Sequence, residues 1–303
     1  MTAFGHLPVP PSQLGESPFW HPDEGALYWC DIPGKALHRW RIGGVGAEAA
    51  GVHTQWGFDC EPASCAPMLG GRLMLAMRDG LWIFDTATGQ RRQLAQPPYD
   101  PTLERFNDGK ADPQGRFWVG SMYEPRDQAA AGLYRWSDGR LDRMAGDATV
   151  SNGLAWSPDG STMLWSDTKS HLIYAFDFDG ATGKLAQQRV FARFAPRQDG
   201  QALADYGGRP DGAAVDAQGC YWYAMYEGQR LLRLAPDGQV LRELALPVRC
   251  ATMPCFGGPD LKTMFITTAC AHRPAEELAA QPLAGRVLTL RVDVPGLPVH
   301  FVR

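Results

Sequence analysis

Side chains that carry oxygen recur at regular intervals along the chain, each at the start of a short apolar or aromatic run. The six positions, which lie 45, 46, 45, 59 and 41 residues apart, are Glu16, Glu61, Asn107, Asn152, Asp211 and Thr252. Carboxylate and carboxamide oxygens are the ligands that hard divalent cations prefer in proteins. If the positions converge, Glu16, Asn107, Asn152 and Asp211 would surround such a cation and leave room for water and substrate.

The stretches that carry these residues share one pattern of strands and turns. The clearest copies are "GESPFWHPDEGALYWCDI" from residue 15, "NDGKADPQGRFWVGSM" from residue 107, "NGLAWSPDGSTMLWSDT" from residue 152 and "DGAAVDAQGCYWYAMYE" from residue 211. In each, a polar residue leads a short strand, an Asp/Pro/Gly turn follows, and an aromatic strand comes next. Weaker copies begin near Glu61 and Thr252, and further strand-like runs bring each unit to about four strands.

Six four-stranded units predict an all-β chain that folds as a six-bladed β-propeller, a single domain over residues 1–303. A seven-bladed propeller or a β-sandwich stays open as an alternative. The innermost strand of each blade lines the central channel of a propeller, so the leading polar residues would meet on its axis. Taken singly, Asn and Asp are also common turn formers and strand starters. Their recurrence in register favours the cation site.

The overall charge of the chain narrows the classes of molecule that it could bind. The net charge is −4 with a pI near 6.0, and no run of Lys and Arg marks a site for nucleic acid or an anionic membrane. The sequence contains no signal peptide and no long apolar stretch, which predicts a cytoplasmic protein that is a monomer or a weak homo-oligomer.

Seven cysteines, an odd number, favour reduced thiols. The pairs Cys60/Cys65 and Cys250/Cys255 have no His at zinc-finger spacing, so small buried thiols are favoured over zinc.

Four motifs resemble one known family when they are taken in order. They are "LGESPFW" at 14–20, "RFNDGKADPQGRFWVGSM" at 105–122, "SNGLAWSPDG" at 151–160 and "RPDGAAVDAQGCYW" at 209–222. Together they resemble the gluconolactonase/regucalcin (senescence marker protein) family, over about residues 12–292. The resemblance implies a six-bladed propeller that binds one divalent metal ion on its axis, uses no organic cofactor and hydrolyses sugar lactones, a class of small molecules.

The same resemblance implies roles for individual residues. Glu16, Asn152 and Asp211 would bind the metal, which could be calcium, zinc, manganese, magnesium or Fe(II). Asn107 would lie close to both metal and substrate, and Arg105 would bind substrate hydroxyls. On the residues alone, Arg105 could instead be a surface residue that pairs with a neighbouring carboxylate, Glu104 or Asp108.

The segment that follows "GSM" departs from the family pattern. In several relatives it carries adjacent acidic residues that help to hold the sugar, whereas here "SMYEPRD" has Glu124 followed by Pro125. We expect Glu124 to bind substrate, and the sugar itself is left open. In "FNDGK", Asp108 and Lys110 are expected to be turn residues or to support the site from behind, with Gly109 in a special backbone conformation.

Hydrolysis of a lactone, a cyclic ester, requires a water nucleophile, a stabilised oxyanion and a proton for the leaving ring oxygen. Asp211 would take the proton from water and return it to the leaving oxygen, while the metal polarises the carbonyl. Because Asp211 would also be a metal ligand and thus not a fully free base, metal-bound water or hydroxide stays open as a group that shares this role. The long interval before Asp211 predicts that residues 195–209 shape the pocket or form a lid. Two other functions stay open: an organophosphate or aryl-ester hydrolase, and a non-catalytic calcium-binding propeller.

Overall fold

The computed structural model describes residues 4–43 and 51–303, and nearly all of its regular structure is β-strand. The strands form six antiparallel four-stranded sheets, which confirms the predicted all-β class and the six-bladed β-propeller. The helical elements in these residues are the 3-10 turn Leu203–Asp205 and the short helix α1 (Ala275–Ala280). None of the helices in this part of the chain has the length and apolar character needed to cross a membrane.

Each sheet is one blade, and its strands follow the chain from the axis outward. Blade 1 holds β2 (Gly15–His21), β3 (Ala26–Asp31), β4 (Ala36–Arg41) and β5 (Val52–Gly57). Blade 2 holds β6 (Pro62–Met68), β7 (Arg72–Met77), β8 (Gly80–Asp85) and β9 (Arg91–Ala95). Blade 3 holds β10 (Glu104–Ala111), β11 (Phe117–Tyr123), β12 (Ala131–Ser137) and β13 (Arg140–Ala148). Blade 4 holds β14 (Ser151–Trp156), β15 (Thr162–Asp167), β16 (Leu172–Asp179) and β17 (Lys184–Arg193). Blade 5 holds β18 (Arg209–Val215), β19 (Tyr221–Tyr226), β20 (Arg230–Leu234) and β21 (Val240–Ala245).

Blade 6 is built from both ends of the sequence. It holds β22 (Ala251–Gly257), β23 (Thr263–Thr268), β24 (Leu288–Arg291) and, as its outermost strand, β1 (Gly5–His6). Gly5 pairs with Thr289 and His6 with Leu288. The inner strands contact one another in a closed circle in which β22 meets β2. The repeat predicts six units, but it gives no sign that the first residues complete the last blade.

The apolar core is divided into six clusters, one between each pair of adjacent blades. Aromatic side chains bridge these interfaces: Trp118 of blade 3 lies edge to face with Trp156 of blade 4, with ring centroids 6.2 Å apart. Trp20 of blade 1 stacks on Phe265 of blade 6 at 6.0 Å. The repeated tryptophans are therefore explained by packing between blades.

Buried aspartates explain part of the repeated sequence pattern. The Nε1 of Trp118 donates a hydrogen bond to Asp112 at 2.9 Å, and that of Trp222 donates to Asp216 at the same distance. An arginine pairs with each of the two carboxylates as well. The Asp-x-x-Gly-x-x-Trp spacing thus fastens the turn after an inner strand to the strand that follows it.

Each inner strand contains a bulge close to its leading residue. In β2 the register passes from Glu16 opposite Cys30 to Phe19 opposite Tyr28, so β2 has one residue more than β3 over this stretch. The same irregularity follows Phe106 in β10, Asn152 in β14 and Pro210 in β18. A bulge redirects the side chains of the strand that contains it. The four bulges therefore act at the positions where polar residues approach the axis.

Asp108, Gly109 and Lys110 all lie inside β10, close to its bulge, so the turn alternative for Asp108 and Lys110 is wrong, whereas a supporting role behind the site stays a prediction. The local Asn-Asp-Gly sequence is typical of turns, but pairing with β11 overrides it. Gly109 also has no left-handed backbone conformation. A Cβ there would lie 2.6 Å from Ser64 Oγ and 3.0 Å from the Trp118 carbonyl oxygen. Glycine is needed at this position for close approach between blades 2 and 3.

All seven cysteines are free thiols, as expected.

Candidate active site

A cleft of about 370 Å³ opens at one end of the propeller axis. Four of the six leading residues line it, one from each of blades 1, 3, 4 and 5: Glu16, Asn107, Asn152 and Asp211. The other two make different contacts. Glu61 forms an ion pair with Arg78 at 2.9 Å, and the Thr252 hydroxyl donates to the Gly15 carbonyl.

Glu16 and Asp211 are buried carboxylates, each 6% exposed. Neither forms an ion pair with any residue in the described parts of the chain, and Glu16 accepts a hydrogen bond from the Ser17 N–H at 3.3 Å. Burial raises the pKa of Glu16 well above its ordinary value, and the Asp211 and Asp108 carboxylates raise it further. Burial likewise raises the pKa of Asp211 to about 8. Buried like charges without a counterion are unfavourable, so a bound cation fits between them.

The chemistry of this site is that of oxygen ligands. Within residues 4–43 and 51–303, no three His, Cys, Asp or Glu side chains form a group that could hold a metal by themselves. A cation in the cleft would thus depend on the two carboxylates together with the carboxamide oxygens of Asn side chains. Such a donor set suits hard divalent cations better than zinc, which favours His and Cys.

A chain of hydrogen bonds fixes the orientation of both asparagines. Asn152 Nδ2 donates to Thr168 Oγ1 at 2.8 Å. Asn107 Nδ2 donates to Asn152 Oδ1 and to the Ser151 carbonyl oxygen, each at 2.9 Å. Arg105 Nη1 in turn donates to Asn107 Oδ1 at 2.7 Å. The sequence gives no signal for Thr168, because this residue follows β15, the second strand of its blade, and does not lead an inner strand.

Arg105 is buried and lines the cleft, so the alternative of a surface arginine paired with Glu104 or Asp108 is wrong. Its ion-pair partner is Glu124, with 3.7 Å between Nε and Oε1. Burial lowers the pKa of Arg105, while the Glu124 charge acts in the opposite direction. The guanidinium is thus held in a fixed position beside Asn107, with hydrogen bonds along one edge.

Glu124 does not line the cleft. Its two carboxylate oxygens accept hydrogen bonds from Arg78 at 2.9 and 3.0 Å, and Arg78 also binds Glu61. Glu124 therefore reaches the site through Arg105. Its expected role as a direct substrate ligand stays a prediction.

Asp108 contributes to the electrostatics of the site more than its sequence position indicates. It is 3% exposed, its Oδ2 accepts a hydrogen bond from the Leu154 N–H at 2.9 Å, and its Oδ1 has no partner in the described residues. Its charge raises the pKa of both Glu16 and Asp211. The one sequence signal for this role is adjacency to Asn107.

The rim of the cleft is lined by residues from the loops of blades 3 to 6 and from the first position of β18, namely Arg126, Lys169, Arg209, Glu227, His272 and Arg273. Of the segment 195–209, which was expected to shape the pocket, Arg209 is the residue found along the cleft. Tyr206 is buried, and its hydroxyl lies 2.5 Å from His171 Nε2. This contact attaches the segment to blade 4, and the lid interpretation stays a prediction.

A second cavity of about 120 Å³ lies at the opposite end of the axis. All six inner strands line it, together with the C-terminal residues 297–300, and none of the described residues lines both cavities. Beside these residues, Gly296 bridges to Asp216 and Val302 bridges to Met68. The C-terminal tail thus crosses this end of the propeller from blade 5 to blade 2.

Comparison with known proteins identifies close relatives of the chain. The model of the SMP-30/Gluconolactonase/LRE-like region matches residues 14–270. A Pseudomonas putida protein named 6-deoxy-6-sulfogluconolactonase is 43% identical over 94% of both chains, and a Xenopus laevis regucalcin is 32% identical over 95% of both. Among solved structures, a calcium-binding regucalcin from Agrobacterium tumefaciens superimposes with a TM-score of 0.91 at 27% identity, covering 100% of this chain and 98% of that one.

Proposed function

The chain belongs to the SMP-30/Gluconolactonase/LRE-like family, and on that premise we propose that it hydrolyses a sugar lactone to the sugar acid with one divalent metal ion in the cleft. The observation that carries the proposal is a pair of buried carboxylates, Glu16 and Asp211, that form no ion pair within residues 4–43 and 51–303 and lie in the same cleft as Arg105 and Asn107. The names of the relatives support it: one is a lactonase of a sulfo-substituted gluconolactone, and another is described as calcium-binding.

The residues that lead the inner strands have distinct roles in the proposed reaction. Glu16, Asn152 and Asp211 would hold the metal, which when bound polarises a carbonyl group and lowers the pKa of water. Asp211 accepts the proton of the attacking water as the new bond to the acyl carbon forms. It then delivers that proton to the ring oxygen as the ring C–O bond breaks, so the product is a hydroxy acid.

Arg105 and Asn107 bind and orient the sugar in this proposal. Their hydrogen bond of 2.7 Å presents a fixed row of donors and acceptors to neighbouring hydroxyl groups. Glu124 supports this arrangement through its ion pair with Arg105. Sugar hydroxyls are recognised by such pre-positioned polar groups because little side-chain entropy is lost on binding.

The decisive experiment measures acid release at constant pH from a panel of aldono-1,4- and aldono-1,5-lactones. The enzyme is first treated with chelator, and calcium, magnesium, manganese, zinc or Fe(II) is then restored singly. We expect little activity in the stripped enzyme and recovery with at least one metal. If no lactone is opened faster than its spontaneous rate with any metal, the proposal fails. Metal binding without turnover would then favour the calcium-binding alternative, and turnover of paraoxon or phenyl acetate the esterase alternative.

The change Asp211→Asn tests the proposed proton carrier. It keeps the size of the side chain but removes the charge, so kcat should fall by about 10²- to 10⁴-fold and the metal content after dialysis should fall as well. The matched control is Asp205→Asn, since Asp205 is exposed and lies outside the cleft. An Asp211→Asn enzyme with unchanged kcat would contradict this role.

A further inference from the structure

The rim of the cleft carries more positive than negative side chains. Arg126, Lys169, Arg209 and Arg273 line it, and Glu227 is the carboxylate found with them among the described lining residues. The four cations come from four successive blades, 3 to 6. The chain as a whole has a net charge of −4. A local excess of positive charge on an acidic protein is therefore concentrated at the entrance of the site.

Two of these cations are already paired. Glu227 binds Arg209 and Arg273, each at 3.0 Å, and Arg273 also binds Glu277 at 2.7 Å. Arg126 and Lys169 differ from them. Both are exposed, and neither side chain has an ion pair or a hydrogen bond within residues 4–43 and 51–303.

The turns that carry Arg126 and Lys169 are held against the same short link between blades 3 and 4. The Thr149 hydroxyl donates to the Gln128 carbonyl oxygen at 3.4 Å, just after Arg126. The Thr149 N–H donates to Asp167 Oδ1 at 3.2 Å, and the same oxygen accepts from the Lys169 N–H at 3.3 Å. The two free cations thus lie on adjoining parts of the rim of the cleft that Asn107 and Asn152 also line.

We propose that Arg126 and Lys169, with Arg209 beside them, form a subsite for an anionic substituent of the sugar lactone, remote from its ester group. This inference rests on the proposed lactonase function. Sulfonate, phosphate and carboxylate groups share the required chemistry, since each presents several oxygens to a guanidinium fork and an ammonium group. A cation bound between Glu16 and Asp211 would offset their negative charge, so these two carboxylates would repel an anionic substrate less.

The acid that lactone hydrolysis releases offers a second explanation for the rim cations, because the product is itself an anion. The product carboxylate forms from every lactone, charged or neutral. If the rim cations bound this product carboxylate, their removal would change the kinetics of all substrates alike. A rim that binds an anionic substituent affects the preference for charged over neutral lactones, and this preference is what the test measures.

The test uses glucono-1,5-lactones that differ at carbon 6, where they carry hydroxyl, carboxylate, sulfonate or phosphate. We expect kcat/KM to be at least about tenfold higher for one of the anionic lactones than for the hydroxyl form. In the double variant Arg126→Gln with Lys169→Gln, this ratio should fall by about tenfold or more. Raised ionic strength should lower the ratio in the native enzyme, because the rim is exposed. The anion with the highest ratio identifies the preferred group.

The control is the double variant Arg140→Gln with Lys184→Gln, which removes the same charge from exposed positions on the outermost strands of blades 3 and 4. It should leave the ratio unchanged. A native ratio near one, or a ratio that Arg126→Gln with Lys169→Gln does not reduce, overturns the subsite while the lactonase proposal stands.

Equilibrium binding separates the two proposals if no lactone is turned over. Calorimetry would then compare gluconate with its counterparts that carry carboxylate, sulfonate or phosphate at carbon 6. Tighter binding of at least one anionic compound, lost in the rim double variant, supports the subsite by itself, whereas equal binding of all four overturns it.

Discussion

At the scale of single residues, one chain of polar contacts connects three blades to the candidate site. Arg78 of blade 2 holds Glu124 of blade 3 through two hydrogen bonds, and Glu124 pairs with Arg105. Arg105 donates to Asn107, which donates to Asn152 of blade 4. Each group is oriented by the one before it. The position of the proposed substrate-binding groups is thus set partly by a residue that does not line the cleft.

We predict that Arg78→Ala raises KM for the lactone by about tenfold, because Glu124 loses its main partner and Arg105 gains freedom. Metal content should stay at the native level, since Arg78 does not contact Glu16 or Asp211. Steady-state kinetics and metal analysis of the dialysed protein measure the two effects.

Arg92→Ala is the matched control for that change, because Arg92 is an exposed arginine of the same blade. It should leave KM unchanged. A positioning role for Arg78 would be ruled out by an unaltered KM, or by a KM rise that merely follows a loss of folded protein in the thermal melting curve.

The residues of the site differ in how far the sequence could reveal them. Glu16, Asn107, Asn152 and Asp211 were found because they occupy one position of a repeat, and a propeller brings equivalent positions to one axis. Arg78 and Thr168 have no such signature. Their contacts depend on how the turns of neighbouring blades meet, which no pattern along the chain encodes.

At the scale of elements, the bulged inner strands and the outer strands have different tasks. The bulges direct polar groups toward the cleft, whereas the outer strands hold features unrelated to it. In blade 1, His38 of β4 and His53 of β5 lie 3.0 Å apart between ring nitrogens. Both rings stack near Trp29, with the His38 centroid 4.9 Å from it. The sequence predicts neither the contact between the two histidines nor their stacking near Trp29, because cross-strand register decides which side chains meet.

The histidine pair predicts a loss of stability in acid. Burial, with His53 adding to it, lowers the pKa of His38 to about 4. Its ordinary value in an unfolded chain is about 6.5, so protons bind the unfolded state preferentially. The stabilisation is complete above pH 6.5 and declines as the pH falls toward 4, by about 2 kcal/mol at pH 5. Thermal unfolding at pH 7.5 and pH 5 measures the change.

In His38→Phe, which keeps a ring against Trp29, the difference in melting temperature between the two pH values should shrink. His6→Gln, an exposed histidine of β1, should leave that difference at the native size. Equal acid sensitivity in His38→Phe and the native protein would show that the pair is not its source.

At the scale of the whole molecule, the ring depends on a short closing segment. The pairing of β1 with β24 involves two residues on each side, so hydrogen bonds alone are a weak closure. Leu7 and Val9, which follow β1, are 7% and 2% exposed and pack in the cluster between blades 6 and 1. Burial of these two side chains is therefore the main contribution of the N-terminal segment to closure.

We predict that Leu7→Ala combined with Val9→Ala lowers the free energy of unfolding by about 3 to 6 kcal/mol, from lost burial and the cavities left behind. Denaturant unfolding checks the value. Pro8→Ala, which changes the exposed residue between them, should have an effect within about 1 kcal/mol. If the double variant unfolds like the native protein, closure does not depend on this segment.

At the far end of the propeller the C-terminal residues 297–300 border a separate cavity, which has no described lining residue in common with the cleft, so we expect substrate and product to use the cleft end alone. The lactone would then enter, and the sugar acid leave, through the same opening of the cleft. A new lactone molecule could bind only after the product has dissociated through that opening. We therefore expect accumulated sugar acid to compete with fresh lactone for the cleft, so that removal of the product would govern the rate of turnover.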